Sequence, residues 1–190
     1  IVSPHQRYLD LVEDLQWPAR RMLICGMHVH VGVPDGVKAI RIIGELMRYH
    51  PLFLALSSSS PYFESDDSGL ASARTKIFEG LPTAGLPPPL ADWADFESFM
   101  STLIESGCIR SIREVWWDIR PHPDFGTVEF RMCDATPTVR ETIALAAALE
   151  APERCAGLVL FGASASWREL GPRLRLARMI LPILPARGFN

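Results

Sequence analysis

Two histidines, His28 and His30, stand at i and i+2 in the run Met27-His28-Val29-His30-Val31, where apolar residues alternate with imidazoles. On an extended strand that spacing puts both rings on one face, within reach of a single metal ion or a single anionic ligand. A half-exposed strand that carries two polar residues shows the same pattern. A second constellation is Asp118-x-Arg120 followed by Glu129-x-Arg131. Carboxylates and guanidiniums alternating along strand faces can form a structural ion-pair ladder. They can equally hold a hard cation such as magnesium on the carboxylate and phosphate or carboxylate oxygens in arginine forks. Arg74, followed by Lys76, is the third candidate, beside the reading of a plain surface arginine. Spacing assigns no role to His5, His50 or His122, and Trp116 and Trp117 read as packing groups.

The elements that must position these groups follow from periodicity. Tyr8, Leu11, Val12 and Leu15 have helical spacing, which Trp17-Pro18 ends. Asp35 suits the N-cap of a helix through Tyr49, so that His50 ends a helix, and Pro51 begins a second one that stops in the run Ser57 to Ser60. Pro61 to Gly69 are loop formers with an acidic patch, and the proline-rich stretch Leu81 to Pro89 makes a stiff connection. Asp92 to Ile104 returns to helical spacing and Gly107 suits its C-cap. Val115 to Arg120 and Thr127 to Met132 read as two strands joined through Pro121 to Gly126, with Val128, Phe130 and Met132 on a core face and Glu129 and Arg131 on a charged one. Thr136 or Thr138 suits the cap of a last helix from Val139.

Composition narrows the classes that can use such a site. The chain has 190 residues, 48% hydrophobic and 22% charged, with a net charge of −3. That is the balance of a folded domain and it disfavours indiscriminate nucleic-acid binding. The four cysteines, Cys25, Cys108, Cys133 and Cys155, form no C-x-x-C pair and read as reduced thiols of a cytoplasmic protein. No uncharged stretch reaches the roughly 20 apolar residues of a membrane span. P-loop, G-x-G-x-x-G and G-x-S-x-G motifs are absent.

Taken in order, Cys25-Gly26-Met27-His28-Val29-His30-Val31-Gly32, Ser58-Ser59-Ser60-Pro61 with Asp67-Ser68-Gly69 and Arg74, Trp117-Asp118-Ile119-Arg120-Pro121, and Phe125 to Asp134 closely resemble the type 2 glutamate-cysteine ligases, a family of carboxylate-amine ligases. The resemblance implies an α+β fold over residues 1–148: part of a glutamine synthetase-like catalytic domain, with an antiparallel curved sheet and helices packed on one face. It implies ATP and magnesium (or manganese) as cofactors, with glutamate and an amine such as cysteine as substrates. The reaction would form an amide through an acyl phosphate. His28 and Glu129 match metal ligands, and His30 matches a contact to ATP phosphate. Arg120 and Arg131 match arginines around the transferred phosphoryl group, Arg120 also contacting the nucleotide. Arg74 matches the arginine that holds glutamate. The expected partners are small molecules and a second copy of the chain, with neither nucleic acid nor membrane.

Two departures accompany the match. The glutamate-rich strand that supplies the other metal ligands in the family does not precede His28, which predicts an incomplete metal site and little turnover. Residues 149–190 read as a divergent tail, with Ala151 to Gly162 resembling an α/β-hydrolase segment, as a truncated or chimeric reading frame would produce. The competing readings are an inactive fragment that works only as a packing or interaction module, and a metal-dependent amidohydrolase, which also places H-x-H at a strand end.

Overall fold

The computed structural model of the protein describes residues 4–150; of the proposed tail, all but residues 149 and 150 lies outside them. The first helix, α1 (Gln6–Leu15), starts before Tyr8, where the apolar pattern begins, and ends at Gln16, whose φ is 52°. Trp17-Pro18 does more than end it. It opens the one-turn α2 (Trp17–Arg20), because proline lacks an N–H that a first turn leaves unbonded anyway. Strand β1 (Val29–Gly32) follows, and then α3 (Gly36–Leu46), whose N-cap carboxylate on Asp35 accepts the Lys38 N–H at 2.7 Å.

The single helix expected through Tyr49 is corrected. The chain tightens into a 3₁₀ turn at Met47–Tyr49, and α4 (His50–Ser57) starts afresh. Pro51 is the cause, since its ring would strike the Met47 carbonyl in a continuous helix and it has no N–H to offer that carbonyl. His50 therefore begins a helix instead of ending one. The expected loop after Pro61 contains a small hairpin of β2 (Tyr62–Phe63) and β3 (Asp66–Asp67), turned by Glu64 and Ser65 at φ of 51° and 74°. Next comes α5 (Ala73–Phe78), capped by the Ser72 hydroxyl; no apolar periodicity announces it.

Helix α6 (Trp93–Glu105) is capped by Asp92, and Gly107 leaves it at φ 72°. Strands β4 (Ile119–His122) and β5 (Thr127–Phe130) are joined by a 3₁₀ turn at Pro123–Phe125 and by left-handed Gly126. Pro121 lies within β4 and not in the connection. The sheet order β1-β5-β4 makes β4 an edge strand, where a missing N–H leaves no rung unpaired. Thr138 and Glu141 exchange side-chain to backbone bonds at the start of α7 (Val139–Glu150), a capping box.

Both pairs in this sheet are antiparallel. One of its faces is apolar: Ile119, Val128, Phe130 and Met132 pack with Ile40 and Ile43 of α3, Phe96 and Met100 of α6, and Leu145 and Leu149 of α7. The fold is α+β. Among the described residues no helix is long and apolar enough to cross a membrane.

Candidate functional site

Register puts Glu129 at the centre of the opposite face. Directly across from it stand His30 on β1 and Arg120 on β4. Arg120 Nε donates to Glu129 Oε2 at 2.6 Å, and Arg131 donates to Oε1 at 3.1 Å. His28 Nδ1 lies 3.3 Å and His30 Nε2 3.9 Å from the same Oε1. Two imidazoles and two guanidiniums thus converge on one carboxylate. Five of the six residues to which the resemblance gives a role meet there.

The ionic centre of this face is buried, while His28 and His30 stay partly exposed. Glu129 is 3% exposed, Arg120 7% and Arg131 9%. Burial pushes the Glu129 carboxyl upward, but the hydrogen bond from His28 and the charges of Arg131 and Arg120 outweigh it and hold the group well below the usual carboxylate range. Burial draws Arg131 down to about 10 against the opposing pull of Glu129. Burial likewise lowers His30, with Glu129 opposing and His122, His28 and Arg120 assisting. The Nδ1 of His30 pairs with the Thr127 hydroxyl at 2.9 Å. Arg120 also donates to the carbonyls of Val115 and Ile112, which pins it.

Above this floor opens a cleft of about 950 Å³, with His28, Arg120 and Arg131 lining it. Its other wall carries Tyr8 and Leu11 of α1 together with Arg110 and Trp116. Arg131 Nε is buried and has no hydrogen-bond partner among the described residues. An orphaned guanidinium N–H beside a cleft rich in cationic groups fits an anion, for which arginine forks are suited. A divalent cation fits less well. Magnesium needs about six oxygen donors, Glu129 already has both oxygens engaged, and among the described residues no group of three His, Cys, Asp or Glu side chains is placed to hold a metal. His28 and Glu129 adjoin, as expected of co-ligands, but by themselves they do not make a metal site.

Arg74 is placed elsewhere. Its guanidinium is 4% exposed, sits behind Arg131, and donates from Nη2 and Nη1 to the carbonyls of Arg131 and Met132 at 2.7 and 3.1 Å. It does not line the cleft. Burial lowers its pKa, with Asp134 and Asp118 opposing.

The structure adds groups that spacing passed over. His50, at the start of α4, brings Nε2 to 2.9 Å from Asp118 Oδ2 in a pair that is nearly sealed from water. Asp134, 1% exposed, accepts from the Ser59 N–H and from the hydroxyls of Ser60 and Ser72. The pattern Ser72-x-x-Thr75, a cap three residues before its amide, was the one local signal for the latter arrangement.

A sequence model described as glutamate-cysteine ligase family 2 matches residues 1–154. The chain belongs to this family. A relative from Frankia casuarinae, provisionally named glutamate-cysteine ligase 2-1, is 60% identical over 146 residues, 77% of this chain and 38% of its own length. One from Thermobifida fusca, provisionally named glutamate-cysteine ligase 2, is 59% identical over 147 residues, 77% of this chain and 37% of its own. A third, from Gloeobacter violaceus under the same provisional name, is 54% identical over 144 residues, 76% of this chain and 39% of its own. The chain therefore spans about two fifths of the length of these relatives. Membership in a ligase family leaves the amidohydrolase reading without support.

Proposed function

We infer that this chain supplies the phosphate-facing floor of an ATP-dependent carboxylate-amine ligase that joins glutamate to an amine such as cysteine. The observation that carries the reading is the convergence of Arg120, Arg131, His28 and His30 on a single buried carboxylate beneath an open cleft. One carboxylate does not exhaust that many donors. ATP, when bound, supplies the phosphoryl group that makes the glutamate carboxylate a good acylating agent. Arg131 lines the cleft and brings a guanidinium charge to anionic oxygens there, and Arg120, fixed by Glu129 and two carbonyls, contributes a charge that needs no reorganisation. Burial disfavours the charged form of His30, whose Nε2 stands 3.9 Å from Glu129 Oε1. Glu129 holds these groups in one geometry. The family's glutamine synthetase-like architecture is part of the same proposal and is supported by the antiparallel sheet with helices on its apolar face.

The test is ADP release in the presence of ATP, magnesium, glutamate and cysteine by the full-length protein that contains these residues. ADP formation that depends on both glutamate and the amine, and that is lost in His28→Ala and Glu129→Ala, supports the ligase. ATP turnover indifferent to every amine offered overturns it. The reading as a packing module has one observation in its favour, the absence of any buried residue in α1; sedimentation decides it, since such a module self-associates as concentration rises.

A further inference from the structure

Between the paired residues Val29 and Phe130 and the bridge from Gly26 to Asp134, the two strands fall out of step. Met27 and His28 fill the interval on one side, whereas Arg131, Met132 and Cys133 fill it on the other. The extra residue makes a β-bulge, which bends the strand and re-aims a side chain. Beyond the bulge the ladder resumes, with the Met27 N–H reaching the Cys133 carbonyl at 3.0 Å, while the Arg131 N–H is taken on the β4 side by the Asp118 carbonyl at 2.7 Å. Within the bulge, the carbonyls of Arg131 and Met132 accept from Arg74 instead. Its guanidinium stands in for the missing rung, and so satisfies two buried acceptors that would otherwise destabilise the bulge.

Three features seat that guanidinium. Gly26 leaves it room, because a Cβ there would lie 2.4 Å from Nη2. Asp134 sets Oδ1 3.8 Å from Nη1. The same carboxylate holds the hydroxyls of Ser60 and Ser72 at 2.7 and 2.9 Å; Ser60 in turn accepts the Arg74 N–H at 3.2 Å, while Ser72 caps α5. One buried carboxylate therefore fixes both ends of Arg74, its charge and its backbone. Phe78, one turn along α5, lies against both guanidiniums, 5.5 Å from that of Arg74 and 5.6 Å from that of Arg131.

We propose that Arg74, seated by Asp134, Ser60 and Ser72, is a positioning residue that spans the bulge and thereby aims Arg131 into the cleft. The resemblance to relatives gives Arg74 to the substrate; its burial and its two carbonyl bonds give it to the backbone. Only the functional consequence rests on the ligase reading, in which Arg131 meets an anion.

Arginine Nε–Hε correlations in the ¹⁵N-labelled chain test this directly. The buried, unpartnered Nε–H of Arg131 is expected as a resolved, slowly exchanging signal, assigned by its disappearance in Arg131→Lys. Ser60→Ala and Ser72→Ala loosen the Asp134 clasp without touching either guanidinium, and Gly26→Ala displaces the Arg74 group. Each should shift the Arg131 signal and speed its exchange with water by about ten-fold or more while the chain stays folded by circular dichroism. Ser106→Ala, on the far end of α6, should leave it in place. An Arg131 signal unmoved in folded Ser60→Ala and Ser72→Ala overturns the proposal. Titration with tripolyphosphate on the same signal separates the two ideas. A response in the unmodified chain that weakens in the serine variants supports both. A signal that the serine variants shift but tripolyphosphate does not upholds the clasp and removes the anion from the ligase reading.

Discussion

Arg120 and Glu129 are direct neighbours across the β4–β5 ladder, and the guanidinium Nε sits 2.6 Å from the carboxylate at a depth where both side chains are nearly sealed from water. Such a pair adds little net stability when intact, because desolvation offsets most of its attraction, yet breaking it strands a charge. Glu129 has a further cation in Arg131. Removing this carboxylate leaves two buried guanidiniums facing each other.

Glu129→Gln, close to the same shape, is expected to lower unfolding free energy by about 3–5 kcal/mol in urea titration at pH 7. A loss under about 1 kcal/mol would mean that the pairs are solvated and behave as surface ion pairs do.

The same residue dictates an acid response. Its folded-state pKa lies below the unfolded value of 4.5. The unfolded chain therefore binds the extra proton, and stability rises with pH through that interval. The contribution is fully present above pH 4.5 and is lost as pH falls towards the folded value. Urea midpoints taken from pH 7 down to pH 3 should fall more steeply in the unmodified chain than in Glu129→Gln. Parallel curves would assign the acid sensitivity to other carboxylates.

How much of this arrangement could be read beforehand depended on whether a local rule governed it. Alternation placed His28, His30, Glu129 and Arg131 on shared faces, and strand pairing did the rest, so their convergence was legible in outline. The cap at Asp35 announced α3 through a side chain that bonds an amide three residues on, and helical spacing announced α6, whose cap on Asp92 the structure adds. The failures share a cause. The break before His50 came from Pro51 acting on a carbonyl four residues back, the bulge from a register shift between distant strands, and the place of Arg74 from Asp134, sixty residues away in sequence. No periodicity encodes a non-local hydrogen bond. The resemblance to relatives pointed to Arg74 as a residue of interest, but only burial shows that its guanidinium faces backbone.

Thiol reactivity offers a check on the packing behind the site. Cys25 and Cys108 are exposed, whereas Cys133 is buried, and burial pushes its thiol up to about 11, the hydrogen bond to Ser57 opposing. The thiolate is the nucleophile, so Cys133 is expected to resist iodoacetamide at pH 8 in the folded chain while Cys25 and Cys108 alkylate. Peptide mapping by mass spectrometry reads all three at once. Alkylation of Cys133 at the rate of Cys108 would show that the segment after β5 opens readily.

His50 and Asp118 supply the most discriminating case, because two explanations of Asp118 predict different orders of damage. Its carboxylate accepts from His50 at 2.9 Å and also acts on the buried guanidiniums of Arg131 and Arg74, whose charged forms it favours. If the carboxylate served only His50, then His50→Leu and Asp118→Asn would cost alike, and the double variant would cost little more than either. With the arginines included, Asp118→Asn must cost more, since it removes negative charge from beside two buried cations while His50→Leu removes only a hydrogen-bond donor. The loss for His50→Leu is expected at about 1–3 kcal/mol, with Asp118→Asn above it and a coupling between the two of about 0.5–3 kcal/mol in a double-mutant cycle. Thermal and urea unfolding of the four proteins measures every term. Equal single losses would confine Asp118 to His50 and leave the charge of the arginine pair balanced by Glu129 and Asp134 alone.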